Sequence, residues 1–184
     1  AASDVYKRQI IISPLCMELS SQNRYHCSHR HRRCVRNTKL HVTPMRTITL
    51  IIIHCSATPE GKSLSAEACR QDHILHRGFR DMGYHFYITR DGEIHRGRAL
   101  EKVGAHCRNH NAHSIGVCYE GGLDANGKPK DTRTLEQEGA LLALLRELKR
   151  QFPKALIVGH RDLNPMKGCP CFDAVKEYAE IASF

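Results

Sequence analysis

The chain has 184 residues, a formal charge of +9 and 41% hydrophobic residues, enough for one domain with an appendage. No apolar run approaches the roughly 18 residues a membrane-spanning helix needs, so membrane insertion is not expected. The charge is uneven: eight Lys/Arg against Asp4 and Glu18 put residues 1–44 at +6 and leave +3 for the rest, too little to suggest a nucleic-acid surface there.

Residues 1–44 carry no sustained helical or strand periodicity. The cluster Tyr25-His26-Cys27-Ser28-His29-Arg30-His31-Arg32-Arg33-Cys34 is rich in metal-ligand types but lacks the strand-turn-helix pattern of a zinc finger. Asp4-Val5-Tyr6-Lys7-Arg8-Gln9 looks like the translation of a sequencing-library adaptor, and Met45 stands directly before the first patterned segment. The head is therefore read as non-native or disordered, with the native protein expected to begin at Met45. Ile10-Ile11-Ile12 is too short for the apolar part of a signal peptide. Synthesis in the cytoplasm without a signal peptide is expected.

From Met45 onward the elements are orderly. Thr47 to Ile53 is β-branched and apolar on both faces, the pattern of a central strand, and it runs into His54. Ser65 is a candidate N-cap for a helix that Gly78 ends. Gly83 to Thr89 reads as a strand, and Asp91-Gly92 turns it into a hairpin partner over Glu93 to Arg96. A loop from Gly97 to Ala112 precedes a buried strand, Ser114 to Tyr119. Thr134 opens the clearest helix, with an apolar stripe of leucines from Leu135 to Leu148 and Pro153 beyond its end. Leu156-Ile157-Val158 is a short strand that delivers His160, and Asp173 to Ile181 is a final helix. Strands interleaved with helices, plus one hairpin, predict a single α/β domain over residues 45–184, with a mixed central β-sheet flanked by helices.

Six of the nine cysteines lie beyond the head, without the even spacing of a disulfide framework, and are read as free thiols. One of them carries the main chemical signal. His160 follows an apolar run, and nine residues later Cys169 sits between Gly168 and Pro170. Imidazole and thiolate suit a borderline-soft ion such as zinc. His54, at the end of the most hydrophobic strand, is the third candidate ligand, which places a zinc cleft at the edge of the sheet. Three protein ligands leave a position open for water, as catalytic zinc requires. Lys167 is a candidate partner for negative charge on an attacked carbonyl, and Tyr84 a candidate hydrogen-bond donor or proton shuttle.

An ordered set of motifs gives this pattern a family. His54-Cys55-Ser56-Ala57-Thr58, Gly83-Tyr84-His85-Phe86, Arg90-Asp91-Gly92, Val103-Gly104-Ala105-His106, Asn111 with Ser114-Ile115-Gly116-Val117, Gly121-Gly122, Gly159-His160-Arg161-Asp162 and Lys167-Gly168-Cys169-Pro170 follow one another. In order and spacing they resemble the zinc-dependent N-acetylmuramoyl-L-alanine amidases of the bacteriophage-lysozyme type, relatives of peptidoglycan recognition proteins. The resemblance implies zinc ligands at His54, His160 and Cys169, and catalytic roles for Tyr84 and Lys167. It implies hydrolysis of the amide between N-acetylmuramic acid and L-alanine of peptidoglycan, by a monomeric phage or prophage lysin acting at the cell wall after release. A peptidoglycan-binding module without catalysis is the alternative. His106 and Asn111 match a loop beside the groove and are assigned to substrate contact or loop support. Two departures stand out: Asp72-His73 replaces a Trp-His common among relatives, and the segment from His160 to Cys169 is short. Cys171, close to Cys169, is the rival thiol for the metal, with Cys169 preferred.

Overall fold

The computed structural model describes residues 46–182. The basic head and its reading as a non-native segment lie outside the described residues, as do the Cys27 and Cys34 cluster and Met45.

Seven strands and five helices follow in chain order: β1 (Leu50–Cys55), β2 (Thr58–Pro59), α1 (Ala66–Leu75), β3 (Phe86–Ile88), β4 (Ile94–Arg96), β5 (Ser114–Tyr119), β6 (Gly122–Leu123), α2 (Leu135–Gln151), β7 (Leu156–Gly159), α3 (His160–Leu163), α4 (Ala174–Glu177) and α5 (Ala179–Ala182). The main sheet runs β4-β3-β5-β1-β7, and β2 and β6 form a separate two-stranded pair. β1 pairs in parallel with both β5 and β7, and β3 joins β5 in parallel. The hairpin strand β4 is antiparallel to β3. A mixed sheet between helices is the expected architecture.

Side chains alternate across a strand, so β1 divides its work between two faces. Ile51, Ile53 and Cys55 join Ile115, Val117 and Tyr119 of β5 in a core closed by Leu141, Leu144, Leu145 and Leu148 of α2. Cys118 belongs to a smaller cluster on the other face, with Cys69 of α1, Met82 and Tyr87. Ile51, Ile52 and Ile53 have no exposed surface. Burying each contributes roughly 1.5–3 kcal/mol, which accounts for the unbroken apolar run in β1.

Both long helices begin where the sequence places a cap. Ser65 Oγ accepts the Ala68 N–H at the start of α1. At α2, Thr134 and Gln137 form a reciprocal capping box. Gln137 has no exposed surface, and its amide also donates to the carbonyls of Ile88 (3.2 Å) and Glu120 (2.9 Å). The first turn of α2 is thus bolted to the ends of β3 and β5.

Other boundaries differ from the sequence reading. β3 covers three residues rather than seven, and β2 with β6 is too short to show any periodicity. The C-terminal helix is two single turns divided at Tyr178. Arg133 anchors that end: its guanidinium meets Asp131 and Glu177 at 2.7 Å each and lies 3.4 Å over the Phe172 ring. Among the described residues no helix is long and apolar enough to cross a membrane.

Replacing Gln137 by Leu removes half of the capping box and leaves the buried Glu120 carbonyl without its donor, while the Ile88 carbonyl keeps only the Glu120 N–H. The unfolding free energy is expected to fall by about 2–4 kcal/mol, read as a lower urea midpoint at an unchanged m-value.

Candidate metal centre and active site

His54 is the penultimate residue of β1 and stands opposite Cys118 in the β1–β5 register. It is 1% exposed. β7 is the edge strand beside β1, and the chain turns from its last residue, Gly159, directly into α3. The Asp162 carboxylate accepts the Gly159 N–H at 2.7 Å, and this turn fixes His160 as the first helical residue. The segment then returns, with the Arg161 N–H donating to the Cys169 carbonyl at 2.7 Å, and so brings Cys169 back over β1. The site lies over the carboxyl ends of parallel strands, where α/β sheets usually bind ligands.

There the ligand atoms of His54, His160 and Cys169 all come within 4.8 Å of one another. His54 Nδ1 is 3.9 Å from Cys169 Sγ, against about 3.6 Å between nitrogen and sulfur ligands of a tetrahedral zinc. The Cys55 N–H donates to Cys169 Sγ at 3.1 Å. Cys171 is occupied elsewhere: its thiol donates to the Gly122 carbonyl at 3.0 Å and lies 3.7 Å from Cys55 Sγ.

The electrostatics suit metal binding. Burial, reinforced by His106 and His160, holds the His54 pKa well below the ordinary histidine value. Burial and then the Lys167 charge lower that of His160. Both imidazoles are therefore neutral, with lone pairs available, at neutral pH. Tyr84 packs with its ring 5.2 Å from His54 and 5.3 Å from His73. Burial and the surrounding thiols raise its pKa well above the ordinary tyrosine value, so its hydroxyl keeps its proton. Lys167 is exposed on the segment that leads to Cys169, and its N–H donates to the Asn164 carbonyl at 3.0 Å.

The remaining two candidates lie behind this cluster. His106 Nδ1 is 3.0 Å from His54 Nε2. Asn111 Oδ1 accepts the N–H groups of both His106 and Cys107 at 2.9 Å and so closes the loop that carries His106. Arg46 braces the same loop by donating to the carbonyls of Leu100 and Asn111.

Four further polar residues shape the site and escaped the sequence reading. Glu120, 3% exposed, accepts the N–H groups of Leu64 and Arg90 and ties the β1–α1 connection to the hairpin turn. His85 Nδ1 accepts the Gly116 N–H, and His73 Nδ1 accepts the Gly83 N–H. Ser114 Oγ lies 3.4 Å from His106 Nε2. Of these, His85 and Ser114 stand in the family motifs, at positions whose partners the sequence does not reveal. Asp72, where relatives carry an aromatic, instead accepts from Arg77 at the surface.

The profile of the N-acetylmuramoyl-L-alanine amidase family matches residues 44–172. The chain belongs to this family. The amidase is 41% identical over 135 residues to an endolysin of Enterobacteria phage K11, spanning 73% of this chain and 88% of that protein. Among solved structures it resembles the endolysin N-acetylmuramoyl-L-alanine amidase LysCS of Clostridium intestinale, with a TM-score of 0.60 and 28% identity over 75% of this chain and 83% of that one. Drosophila PGRP-LB superposes with a TM-score of 0.60 at 24% identity, covering 73% and 81% of the two chains, a likeness of fold alone. The amidase hydrolyses an amide bond of peptidoglycan, and its His/His/Cys cluster is compatible with a metal ion.

The buried histidines also make an acid-sensitive fold. His85, 1% exposed, has its pKa pushed down by burial to about 4, while the unfolded chain protonates near 6.5. A depressed histidine contributes stability above the unfolded value and loses it as pH falls toward the folded one. The metal-free amidase is expected to lose stability from pH 6.5 to pH 4, by on the order of 1 kcal/mol per pH unit for each such histidine. Urea melts at stepped pH should show a shallower fall in His85→Asn; an unchanged slope would contradict the assignment.

Proposed function

We propose that His54, His160 and Cys169 hold one zinc ion, and that the amidase uses it to cleave the bond between the lactyl group of N-acetylmuramic acid and L-alanine of the stem peptide. The observation that carries this reading is the convergence of two neutral imidazoles and one cysteine sulfur from β1, α3 and the segment beyond it. A zinc ion held this way is a Lewis acid that activates water and polarises the scissile carbonyl.

The chain's own residues do the rest. Tyr84, protonated and packed against His54, donates a hydrogen bond to charge that develops on the carbonyl oxygen, or passes a proton to the departing amine. Lys167 contributes its positive charge at the rim, where its field already reaches His160. The Cys55 N–H donates to Cys169 Sγ and so holds the sulfur in place, and the two imidazoles are kept neutral by burial. A recognition module without catalysis, the alternative, has no need for Tyr84 beside a cluster of this kind. The similarity to a phage endolysin supports action on the bacterial wall as a lysin.

Purified peptidoglycan treated with the amidase should lose turbidity and yield stem peptides with a free L-alanine amino terminus, identified by mass spectrometry. A strong zinc chelator should abolish this and added zinc restore it; activity that survives complete zinc removal would sink the mechanism. Tyr84→Phe should lower kcat by roughly 10²–10⁴ and Lys167→Ala by roughly 10²–10³, with zinc content unchanged. Full turnover in either variant would remove that residue from the chemistry.

A further inference from the structure

A zinc-ligating histidine has two ring nitrogens, and the one that does not face the metal normally gives its proton to a fixed partner. At His54 the nitrogen toward Cys169 is Nδ1 (3.9 Å), and the other, Nε2, is 3.0 Å from His106 Nδ1. The ring planes are inclined at 82° with centroids 5.0 Å apart, so it is the two nitrogens that meet and not two stacked faces. His106 in turn presents Nε2 to Ser114 Oγ at 3.4 Å.

The slot that holds His106 is built for a ring. A Cβ placed on Gly116 would lie 2.6 Å from His106 Cγ and Cδ2, and one on Gly104 would lie 2.5 Å from Cδ2. Gly116 pairs with Ile52, and two residues further along each strand Cys118 pairs with His54, so the ring lies on the same face of the sheet as the ligand. Asn111 Oδ1 fixes the backbone on both sides of the His106 peptide. Two glycines without side chains, a clamped backbone and a hydrogen-bond chain two residues deep therefore converge on one imidazole.

We propose that His106 is a positioning residue: its Nδ1 accepts the Nε2–H of His54, which fixes the ligand's tautomer and ring angle, while its own Nε2–H is held by Ser114. The inference rests on the zinc reading above. It gives His106 a place behind the metal ligand rather than in contact with substrate. A carbonyl oxygen can replace the accepting nitrogen, whereas a hydrocarbon ring fills the same slot and accepts nothing. That contrast separates an acceptor from a packing residue.

Two measurements on the full chain test it. In zinc-free wild-type protein, two-bond ¹⁵N–¹H correlation of the imidazoles should show His54 protonated at Nε2; a His54 protonated at Nδ1 would overturn the proposal whatever the variants do. Zinc affinity by competition with a chromophoric chelator should fall roughly 10–100-fold in His106→Phe, and stay near the wild-type value in His106→Asn. A Phe variant that binds zinc as tightly as wild type, or an Asn variant as weak as Phe, would reduce His106 to packing. Failure of the zinc reading shows separately, as a wild-type protein that binds no zinc or a Cys169→Ser variant that binds it undiminished.

Discussion

The parallel pairing of β1 with β5 on one side and β7 on the other is the constraint on which the rest depends. It places His54 at the carboxyl end of a central strand, brings the turn into α3 alongside it, and sets a glycine of β5 on the same face. The pairing is maintained by apolar burial on both faces of β1, with Ile51 and Ile53 toward α2 and Ile52 toward the α1 side. A one-residue slip of the register would exchange these faces and carry His54 into the wrong layer. Fold and site are therefore specified by the same alternation.

The second theme is how a sheet end tolerates so many polar side chains. Histidines 54, 73, 85 and 106 all have depressed pKa values, and in each case desolvation is the largest cause. Each also has a ring nitrogen within hydrogen-bond distance of a partner: His73 and His85 accept backbone N–H groups, and His54 and His106 face one another. Among the described residues no buried side-chain nitrogen or oxygen lacks a partner. Neutral, oriented imidazoles cost far less to bury than charged ones, and the same property readies them for a metal.

How much of this was readable in the sequence depended on distance along the chain. β1, α1 and α2 are readable because local signals set them: an Ile-rich run, Ser65, and the leucine stripe that Thr134 opens. The turn at Gly159-His160-Arg161-Asp162 has a local signal too, an acidic residue three positions after the cap, although the sequence reading had carried His160 only as the residue after a strand. What Tyr84 and Cys169 touch is not readable, since nothing near them in sequence shows it. The environment of His106 was out of reach. Its partner is 52 residues away, and the space for its ring comes from a missing Cβ on another strand, which no periodicity records. Asn111 clamps the backbone of the loop that carries His106.

The central claim is a metal held by His54, His160 and Cys169, and the most direct measurement is anomalous X-ray scattering at the zinc edge from crystals of the zinc-loaded protein. The account predicts one strong peak at the carboxyl end of β1, bonded to His54 Nδ1, a ring nitrogen of His160 and Cys169 Sγ. A peak seated on Cys171, or one with no sulfur ligand, would contradict it.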